Sequence, residues 1–287
     1  MEWMQMIRTA IAYMEEHLLE DITAEDVAAA VHVSGFYFQK GFSLMSGYTI
    51  GEYIRSRRLY LAALDLISGE EKVIDLALKY GYETPESFAK AFRRFHGMSP
   101  AQARQARYGI RTFLPLKITI SVKGGSEMDY TIEKMDAFRV IGVHRRFCFE
   151  NSYEEIPVFW NEFCAKDAER ICALLGGRCN VGKYGICVDD GGAGDFEYWI
   201  AGDDSGAPIP AELAAREIPA QTWAKFNCTG PMPGALQSVN TQIFKEWLPG
   251  NPDWEIAAGL NIELYDVEDA ASADYHSEIW IPVKRRV

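Results

Sequence analysis

The sequence predicts a two-domain protein: an all-α domain with two helix-turn-helix motifs, followed by an α+β domain built on a curved antiparallel sheet. Three observations predict this fold class. Two helix-turn-helix patterns stand about 51 residues apart in the first hundred residues. After residue 127 the hydrophobic pattern changes from helical to mixed helix and strand. A chain of 287 residues is also long enough to bury two hydrophobic cores.

Each helix-turn-helix pattern consists of a short helix with apolar periodicity, a tight break and a capped second helix with regularly spaced aromatic residues. The first pattern occupies residues 26–42 and the second residues 73–92. Most of the aromatic residues of this region are expected in a helical core; they are Phe38, Phe42, Phe88, Phe92 and Phe95. Phe36 is the expected exception, because it stands at the exposed start of its helix.

The polar face opposite these aromatic residues carries side chains that can read bases. Gln39 can pair with adenine, Lys40 and Lys90 can pair with guanine, and Glu86 can accept from the cytosine amino group. An ordinary helical bundle with a solvated charged face is the alternative. Two such faces at matched positions of matched motifs favour DNA recognition. The candidate DNA-binding residues are Phe36, Gln39, Lys40, Arg55, Arg58, Pro85, Glu86, Lys90, Arg93 and Arg94.

The stretch between the two motifs is predicted to form one long helix over residues 49–68. Its 20 residues span roughly 30 Å at a rise of ~1.5 Å per residue. This length is close to the ~34 Å between successive turns of one DNA groove. The helix would therefore present two recognition helices to adjacent major-groove segments. Arg55, Arg57 and Arg58 form a basic cluster on it and are candidate phosphate contacts.

Charge is divided unevenly along the chain. The net charge of −12 would by itself argue against a nucleic-acid partner. Residues 1–126, however, contain 15 Lys and Arg against 14 Asp and Glu, a net charge of +1. The other 14 basic and 27 acidic residues give residues 127–287 a net charge of −13. Residues 87–126 contain basic side chains and no acidic one, so this run supplies further candidate phosphate contacts.

Three motifs occur in order in the first part of the chain. They are GYTIGEYIRSRRL at residues 47–59, ALKYGY at residues 77–82 and FAKAFRRFHGMSP at residues 88–100. Together the run from Ile7 to Arg107 resembles the DNA-binding domain of the AraC/XylS family of transcription regulators. Lys79 departs from the small or neutral residue that many members carry in that turn. The resemblance implies a DNA-binding domain over residues 1–108, with duplex DNA and RNA polymerase as partners.

The second part follows a predicted linker over residues 109–126. Residues 116–122 alternate between apolar and polar side chains, as residues of a strand do. The turn-rich residues 123–126 favour a hinge. Further strands are predicted over residues 130–134, 138–147, 184–188, 196–201, 221–228, 260–265 and 278–283. Helices are predicted over residues 153–174 and 235–247. The order predicts a duplicated strand-helix-strand-strand unit that shares one curved sheet.

Several segments of this part carry a second resemblance. They include FRVIGV at residues 138–143, IPVFW at residues 156–160, IELY at residues 262–265 and IWIP at residues 279–282. The run from about Met128 to Lys284 resembles the GyrI-like effector-binding domain. An AraC-type domain followed by a GyrI-like domain is the order found in Rob-like regulators. The resemblance implies a small-molecule-binding domain over residues 127–287, with Glu263 as a ligand contact.

Glu263 lies in a predicted strand between Ile262 and Leu264, so its side chain points away from theirs. If the aliphatic pair packs against the helices, Glu263 faces a concave side together with Asn261, Tyr265 and Trp280. A buried carboxylate needs a partner, and aromatic rings attract cations, so a cationic or aromatic ligand is expected. A solvent-exposed residue or a salt bridge to a local arginine is the alternative. The predicted ligand-binding residues are Glu263, Trp160, Tyr184, Trp223 and Trp280.

Other features of the sequence narrow the class of protein. No apolar run approaches the ~20 residues of a membrane span, and the first residues do not begin a signal peptide. We therefore expect a cytoplasmic protein with no membrane partner. Six cysteines lie in the second half without a Cys-x-x-Cys pair or a histidine cluster, which predicts reduced thiols and no zinc site. No metal or other cofactor is expected.

Three functions remain open at this point. The first is a non-enzymatic, DNA-binding regulator that responds to a small ligand. The second makes the GyrI-like domain a small-molecule hydrolase with Glu263 as general base. The third is a constitutive regulator whose second domain is purely structural. Two DNA-reading motifs and the lack of a Ser-His-Asp arrangement favour the first.

Overall fold

The computed structural model describes residues 3–69, 71–106, 109–118, 128–176, 180–190, 194–266 and 269–286. Its contacts divide the chain into two compact units. The first unit consists of residues 1–33 and 46–122, and the second of residues 34–45 and 123–287. Helix α3 (Gly35–Ser46), the second helix of the first predicted motif, therefore belongs almost entirely to the second unit. No helix in the described ranges is long and apolar enough to cross a membrane.

The first unit is built from helices. In its described residues these are α1 (Trp3–Glu16), α2 (Ala24–Ala30), α4 (Ile50–Ser68), α5 (Val73–Lys79), α6 (Pro85–His96) and α7 (Pro100–Ala106). Helix α4 begins with a capping box formed by Thr49 and Glu52. Helix α6 begins after Thr84, whose hydroxyl accepts from the Ser87 amide, and ends at Gly97 with a φ of 79°. The predicted connecting helix is thus confirmed.

Aromatic rings fill the cores on which the helices pack. Phe88 and Phe92 are fully buried in a cluster with residues of α4, α5 and α7, and Phe95 is partly buried against it. Phe38 and Phe42 of α3 are also fully buried. The prediction that these five aromatic residues belong to cores is confirmed.

The stretch after α7 is described only in part. Residues 109–118 form neither helix nor strand. Phe113 is buried there, and its ring lies 5.2 Å from that of Tyr48 and 6.1 Å from that of Phe95. The hinge predicted over residues 123–126 and most of the strand predicted over residues 116–122 lie outside the described residues.

The second unit contains an antiparallel sheet. Its described strands are β1 (Tyr130–Met135), β2 (Phe138–Cys148), β3 (Tyr184–Val188), β4 (Asp195–Asp203), β5 (Ala214–Ile218), β6 (Gln221–Thr229), β7 (Trp254–Ile256), β8 (Leu260–Tyr265) and β9 (His276–Arg285). The spatial order is β1-β6-β9-β8-β3-β4-β2-β5, with β7 on β9. The triplets β3-β4-β2 and β8-β9-β6 repeat one arrangement about the central β3–β8 pair. The predicted duplication is therefore confirmed.

Each half of the duplication also carries one long helix interrupted by a π-helical turn. Helix α8 (Ser152–Glu162) continues through the turn Phe163–Asp167 into α9 (Ala168–Leu174). Helix α10 (Gly234–Gln242) continues through the turn Ile243–Trp247 into α11 (Leu248–Gly250). The two predicted helices are confirmed, whereas the π turns were not predicted.

The two faces of this sheet are buried in different ways. One face closes on itself, because Val140 of β2 and Trp223 of β6 belong to one cluster whose described members all come from strands. The other face meets helices. There the ring of Trp160 on α8 lies 5.2 Å from that of Tyr265 on β8, and Trp247 lies 5.0 Å from Phe226 on β6. We call this second face the helix-side face.

Candidate DNA-binding and ligand-binding sites

Helix α6 has the polar face that the sequence predicts for a recognition helix. Glu86, Lys90, Arg93 and Arg94 are exposed, while the aromatic residues of the opposite side are buried. Pro85 is half-buried in the first turn, where a helix tolerates proline because the missing amide has no partner in the helix. The exposed carboxylate, ammonium and guanidinium groups have the chemistry needed for base edges and phosphates.

The arginines of α4 differ in their surroundings. Arg55 is exposed, whereas Arg57 is buried. The Arg57 Nη2 atom lies 2.7 Å from Glu15 Oε2, and its Nη1 atom donates to the Phe113 carbonyl at 2.5 Å. The prediction of Arg57 as a phosphate contact is wrong, because a buried guanidinium is held by its internal partners.

Arg58 is half-buried and also bonds within the first unit. Its Nε atom donates to the Leu18 carbonyl at 2.7 Å, and its Nη2 atom donates to the Glu20 carbonyl at 2.5 Å. These bonds satisfy carbonyl groups just after α1, which have no partners inside that helix. A contact of Arg58 with phosphate stays a prediction.

Helix α3 packs its first turn against the helix-side face. Phe36 is only 5% exposed, and its ring lies 5.4 Å from Phe196 and 6.0 Å from Phe149. The neighbouring Tyr37 is fully buried, with its ring 6.3 Å from Phe244. The expectation that Phe36 is exposed is therefore wrong. Its position in the helix permits exposure, but a tertiary contact covers it.

Hydrogen bonds fix the beginning of α3 on the same face. The Asp189 Oδ2 atom, just after β3, accepts from Ser34 Oγ at 2.7 Å and from the Phe36 amide at 2.9 Å. A carboxylate at this position satisfies helix amides that have no partner and interacts favourably with the helix dipole. The Tyr37 hydroxyl donates to the Leu260 carbonyl of β8.

The polar residues of α3 are engaged as well. The Lys40 ammonium donates to Asn261 Oδ1 at 3.2 Å and lies 5.4 Å from the centroid of the Phe36 ring. The Gln39 side-chain nitrogen is buried and has no hydrogen-bond partner among the described residues. The residues predicted to read bases in the first motif are thus half-buried, and Lys40 is bonded within the second unit, in contrast to the exposed residues of α6.

Strand register decides which side chains accompany Glu263. Glu263 pairs with Gly185 of β3, whereas Ile262 pairs with Trp280 of β9. Because directly opposite residues point to the same face, Trp280 lies on the opposite face from Glu263. Tyr184 and Trp223 belong to the same strand-only cluster as Trp280. The prediction that Trp280 shares a face with Glu263 is therefore wrong, and the predicted ligand residues Tyr184 and Trp223 also lie on the face opposite Glu263.

The side on which the helices pack also differs from the prediction. Ile262 is in the strand-only cluster and Leu264 packs against it, so neither meets the helices there. Cations of the chain already lie over two rings of that cluster. The Lys183 Nζ atom is 4.8 Å from the Tyr184 centroid, and the Lys225 Nζ atom is 4.1 Å from that of Trp280.

Glu263 instead shares the helix-side face with Tyr265, Tyr198 and Trp160. The Tyr265 hydroxyl donates to Glu263 Oε2 at 2.6 Å, and Trp160 Nε1 donates to the Tyr198 hydroxyl at 2.8 Å. The two tyrosine hydroxyls hydrogen-bond to each other. We call these four residues the helix-side site.

The site combines a carboxylate with neutral, hydrogen-bonded phenols. Burial raises the pKa of Tyr198 and of Tyr265 well above the ordinary value, and the charge of Glu263 raises both further. Both phenols therefore stay protonated, and Tyr265 donates to the carboxylate. Gly185 makes room for them, because a Cβ atom there would lie 2.3 Å from the Tyr198 hydroxyl oxygen.

No metal site accompanies this arrangement in the part of the chain that the structure describes. There, no group of three or more His, Cys, Asp or Glu side chains is placed to hold an ion. No ion pair within 4.0 Å involves Glu263 among the described residues.

Of the predicted ligand residues, Glu263 and Trp160 are brought together, and Tyr198 was missed. Tyr265 had a usable signal, because it lies two residues after Glu263 on one strand and must share its face. Tyr198 had none. Only the pairing of β4 with β3, where Tyr198 opposes Cys187, brings it to the site.

Two family models match separate parts of the chain. The family described as a helix-turn-helix domain matches residues 27–106, and the family described as an integron-associated effector binding protein matches residues 131–283. The regulatory protein SoxS of Salmonella typhimurium is 36% identical over 104 residues, which are 36% of this chain and 97% of SoxS.

Solved structures resemble the second half. SAV2435 bound to tetraphenylphosphonium is 22% identical with a TM-score of 0.47, and covers 55% of this chain and 94% of its own. The integron cassette protein VCH_CASS2 of Vibrio cholerae is 18% identical with a TM-score of 0.41, and covers 54% of this chain and 95% of its own. The family matches confirm both resemblances: the chain belongs to the AraC-type transcription regulators and carries a GyrI-like domain of the integron-associated effector binding family.

Proposed function

We propose that this regulator binds a lipophilic aromatic cation at the helix-side site, without turnover. The observation that carries the proposal is the half-buried Glu263 carboxylate, which accepts from the neutral Tyr265 hydroxyl and lacks an ion-pair partner among the described residues. Such a carboxylate favours a cationic ligand. The rings of Trp160 and Tyr265 can each add roughly 0.5–2 kcal/mol of cation–π attraction. The acidic second half adds a long-range attraction that salt screens.

Calorimetric titration with tetraphenylphosphonium tests this proposal. Glu263→Gln keeps the shape of the side chain and removes its charge, so it should weaken binding at least tenfold, or ~1.4 kcal/mol. Glu255→Gln is the matched control, because Glu255 of β7 forms an ion pair with Lys284 of β9 and lies outside the site. Neutral triphenylphosphine oxide should not distinguish wild type from Glu263→Gln. Equal cation affinity of the two proteins would refute the charge anchor.

A turnover assay separates the sensor from the hydrolase alternative. Wild type and Glu263→Gln are incubated with a chromogenic aryl ester, and product release is followed. We expect both proteins to release product at the same background rate. Hydrolysis that depends on Glu263 would instead assign it the role of general base.

We further infer that residues 1–108 form the DNA-binding domain of a cytoplasmic regulator that acts together with RNA polymerase. The exposed basic face of α6 and the 19-residue helix α4 support this inference. The operator should contain two major-groove segments about one turn, ~10 bp, apart. Binding in a gel-shift assay should weaken steeply with salt, because neutralised phosphates release counterions. With tetraphenylphosphonium present, inserting ~5 bp between the segments should abolish tight binding; unchanged affinity would mean that one motif alone reads DNA.

A further inference from the structure

Helix α3 carries the predicted base-reading residues of the first motif, and these residues are engaged inside the second unit. We propose that the helix-side face is a docking surface for α3, so that α3 occupies either this face or DNA, and that a cation bound at the neighbouring helix-side site favours its release. The evidence for docking comes from the contacts of α3 alone. Only the effect of the cation rests on the proposed function.

Docking and DNA reading exclude each other because they use the same side chains. A major groove about 12 Å wide admits one helix with its side chains against the base edges. In the docked helix Phe36 is 5% exposed, the Lys40 ammonium is bonded to Asn261, and the Gln39 side-chain nitrogen is buried. In this position Phe36 and the Gln39 nitrogen are buried and the Lys40 ammonium is bonded, so these groups are not free to pair with a base.

The face receives α3 through specific contacts. Asp189 accepts from both Ser34 Oγ and the Phe36 amide, so that a carboxylate outside the helix caps it. The approach of the two segments is close, since a Cβ atom on Gly259 would lie 3.1 Å from Ser34 Oγ. Rings from β4 and from the π turn after α10 enclose the first turn, namely Phe196 and Phe244.

One hydrogen-bond donor of the docked helix has no partner among the described residues, and this loss weakens docking. The Gln39 side-chain nitrogen is a donor that is buried without a partner among the described residues. Such a group is unfavourable where it lies, because it has lost water without gaining a hydrogen bond. On DNA the same amide can pair with adenine, so release of α3 towards DNA relieves this loss.

The helix-side site lies directly beside the docked helix. Asn261, the partner of Lys40, is two residues from Glu263 on β8 and shares its face, at a distance of about 7 Å along the strand. Cys187 opposes Asn261; burial raises the pKa of its thiol, the charge of Glu263 raises it further, and the charge of Lys40 lowers it. A cation bound at Glu263 would repel the nearby Lys40 ammonium and weaken docking.

Asp189→Ala tests docking without touching a predicted DNA or ligand contact. The variant loses the cap of α3, so docking should weaken. In the absence of ligand, it should bind a duplex obtained by random-sequence selection about tenfold more tightly than wild type does. Fluorescence anisotropy measures this affinity. Tetraphenylphosphonium should tighten the wild type to a similar extent and leave Asp189→Ala unchanged. Asp190→Ala, at an exposed neighbour that pairs with Arg216, is the matched control and should behave as wild type.

Hydrogen exchange supplies a readout that needs neither DNA nor ligand. Amides of residues 35–46 should exchange faster in Asp189→Ala than in Asp190→Ala, and Tyr37→Phe, which loses the bond to Leu260, should give a smaller change in the same direction. Unchanged exchange and unchanged DNA affinity in both Asp189→Ala and Tyr37→Phe would overturn the proposal, whether or not the cation binds. Failure of wild type to bind tetraphenylphosphonium, with faster exchange and tighter DNA binding in Asp189→Ala, would refute only the ligand assignment.

Discussion

Helices α3 and α6 are the second helices of two related motifs, but their surroundings differ. Helix α6 buries its aromatic residues and exposes Lys90 and Arg94. Helix α3 also buries aromatic residues, yet its polar side is covered too, with Lys40 bonded to Asn261. The difference teaches that a recognition pattern defines which side chains can read DNA. What packs against the helix decides whether they are available.

The largest expected effect concerns the core that holds α6. Phe92 is fully buried in the cluster of α4, α5 and α7, so Phe92→Ala should destabilise the first unit by about 3–5 kcal/mol. Urea unfolding measures the change. Lys90→Ala on the exposed side of the same helix is the control, with an expected change within about 0.5 kcal/mol. Similar losses for both variants would mean that α6 does not have two distinct sides.

The next prediction compares the two helices directly on DNA. Lys90→Ala should weaken specific binding by ~1–3 kcal/mol if Lys90 contacts a base, whereas Lys40→Ala should cause no loss in the ligand-free protein. The reason is that the Lys40 ammonium is already bonded to Asn261. Anisotropy titrations on a selected duplex provide the measurement. Equal losses would show that α3 contacts DNA without ligand, and the contrast between the helices would disappear.

A third prediction concerns the face on which α3 lies. Gly185→Ala should destabilise the second unit by about 1–3 kcal/mol and weaken tetraphenylphosphonium binding, because its Cβ would lie 2.3 Å from the Tyr198 hydroxyl oxygen. Thermal unfolding and calorimetry measure the two effects. Gly234→Ala is the control, since a Cβ atom there would meet nothing within 4 Å. An unperturbed Gly185→Ala protein would contradict the tyrosine arrangement.

The smallest expected effect is a pH dependence at the end of α6. His96 Nε2 lies 3.1 Å from the Leu59 carbonyl, and its Nδ1 accepts from the Arg111 amide at 3.1 Å, so the ring is neutral. Burial, aided by the charge of Arg111, lowers the pKa of His96 below the ordinary 6.5. The unfolded chain then binds more protons between the two pKa values, so stability is full above about pH 6.5 and falls as the pH drops towards the folded-state pKa.

Urea unfolding of wild type and His96→Gln at several pH values tests that sign. We expect the slope of stability against pH below 6.5 to be smaller in His96→Gln. Identical slopes would mean that His96 does not titrate differently in the folded and unfolded states.

Much of the fold could be predicted because its signals are local. The capping pair Thr49 and Glu52 marks the start of α4, and helical spacing of aromatic residues marks the buried side of α6. The same holds for part of the site. Alternation along β8 places Asn261, Glu263 and Tyr265 on one face without any knowledge of the neighbouring strands.

The sequence by itself determined the two motifs, the duplicated α+β unit and which residues of each strand share a face, since these follow from spacing along the chain. Only the tertiary structure decided that Trp280 opposes Ile262 instead of Glu263, and that Phe36 is buried. Both outcomes depend on partners that no local pattern specifies. The first depends on the register between the neighbouring strands β8 and β9, and the second on contacts of α3 with residues 153 to 223 positions away in the chain.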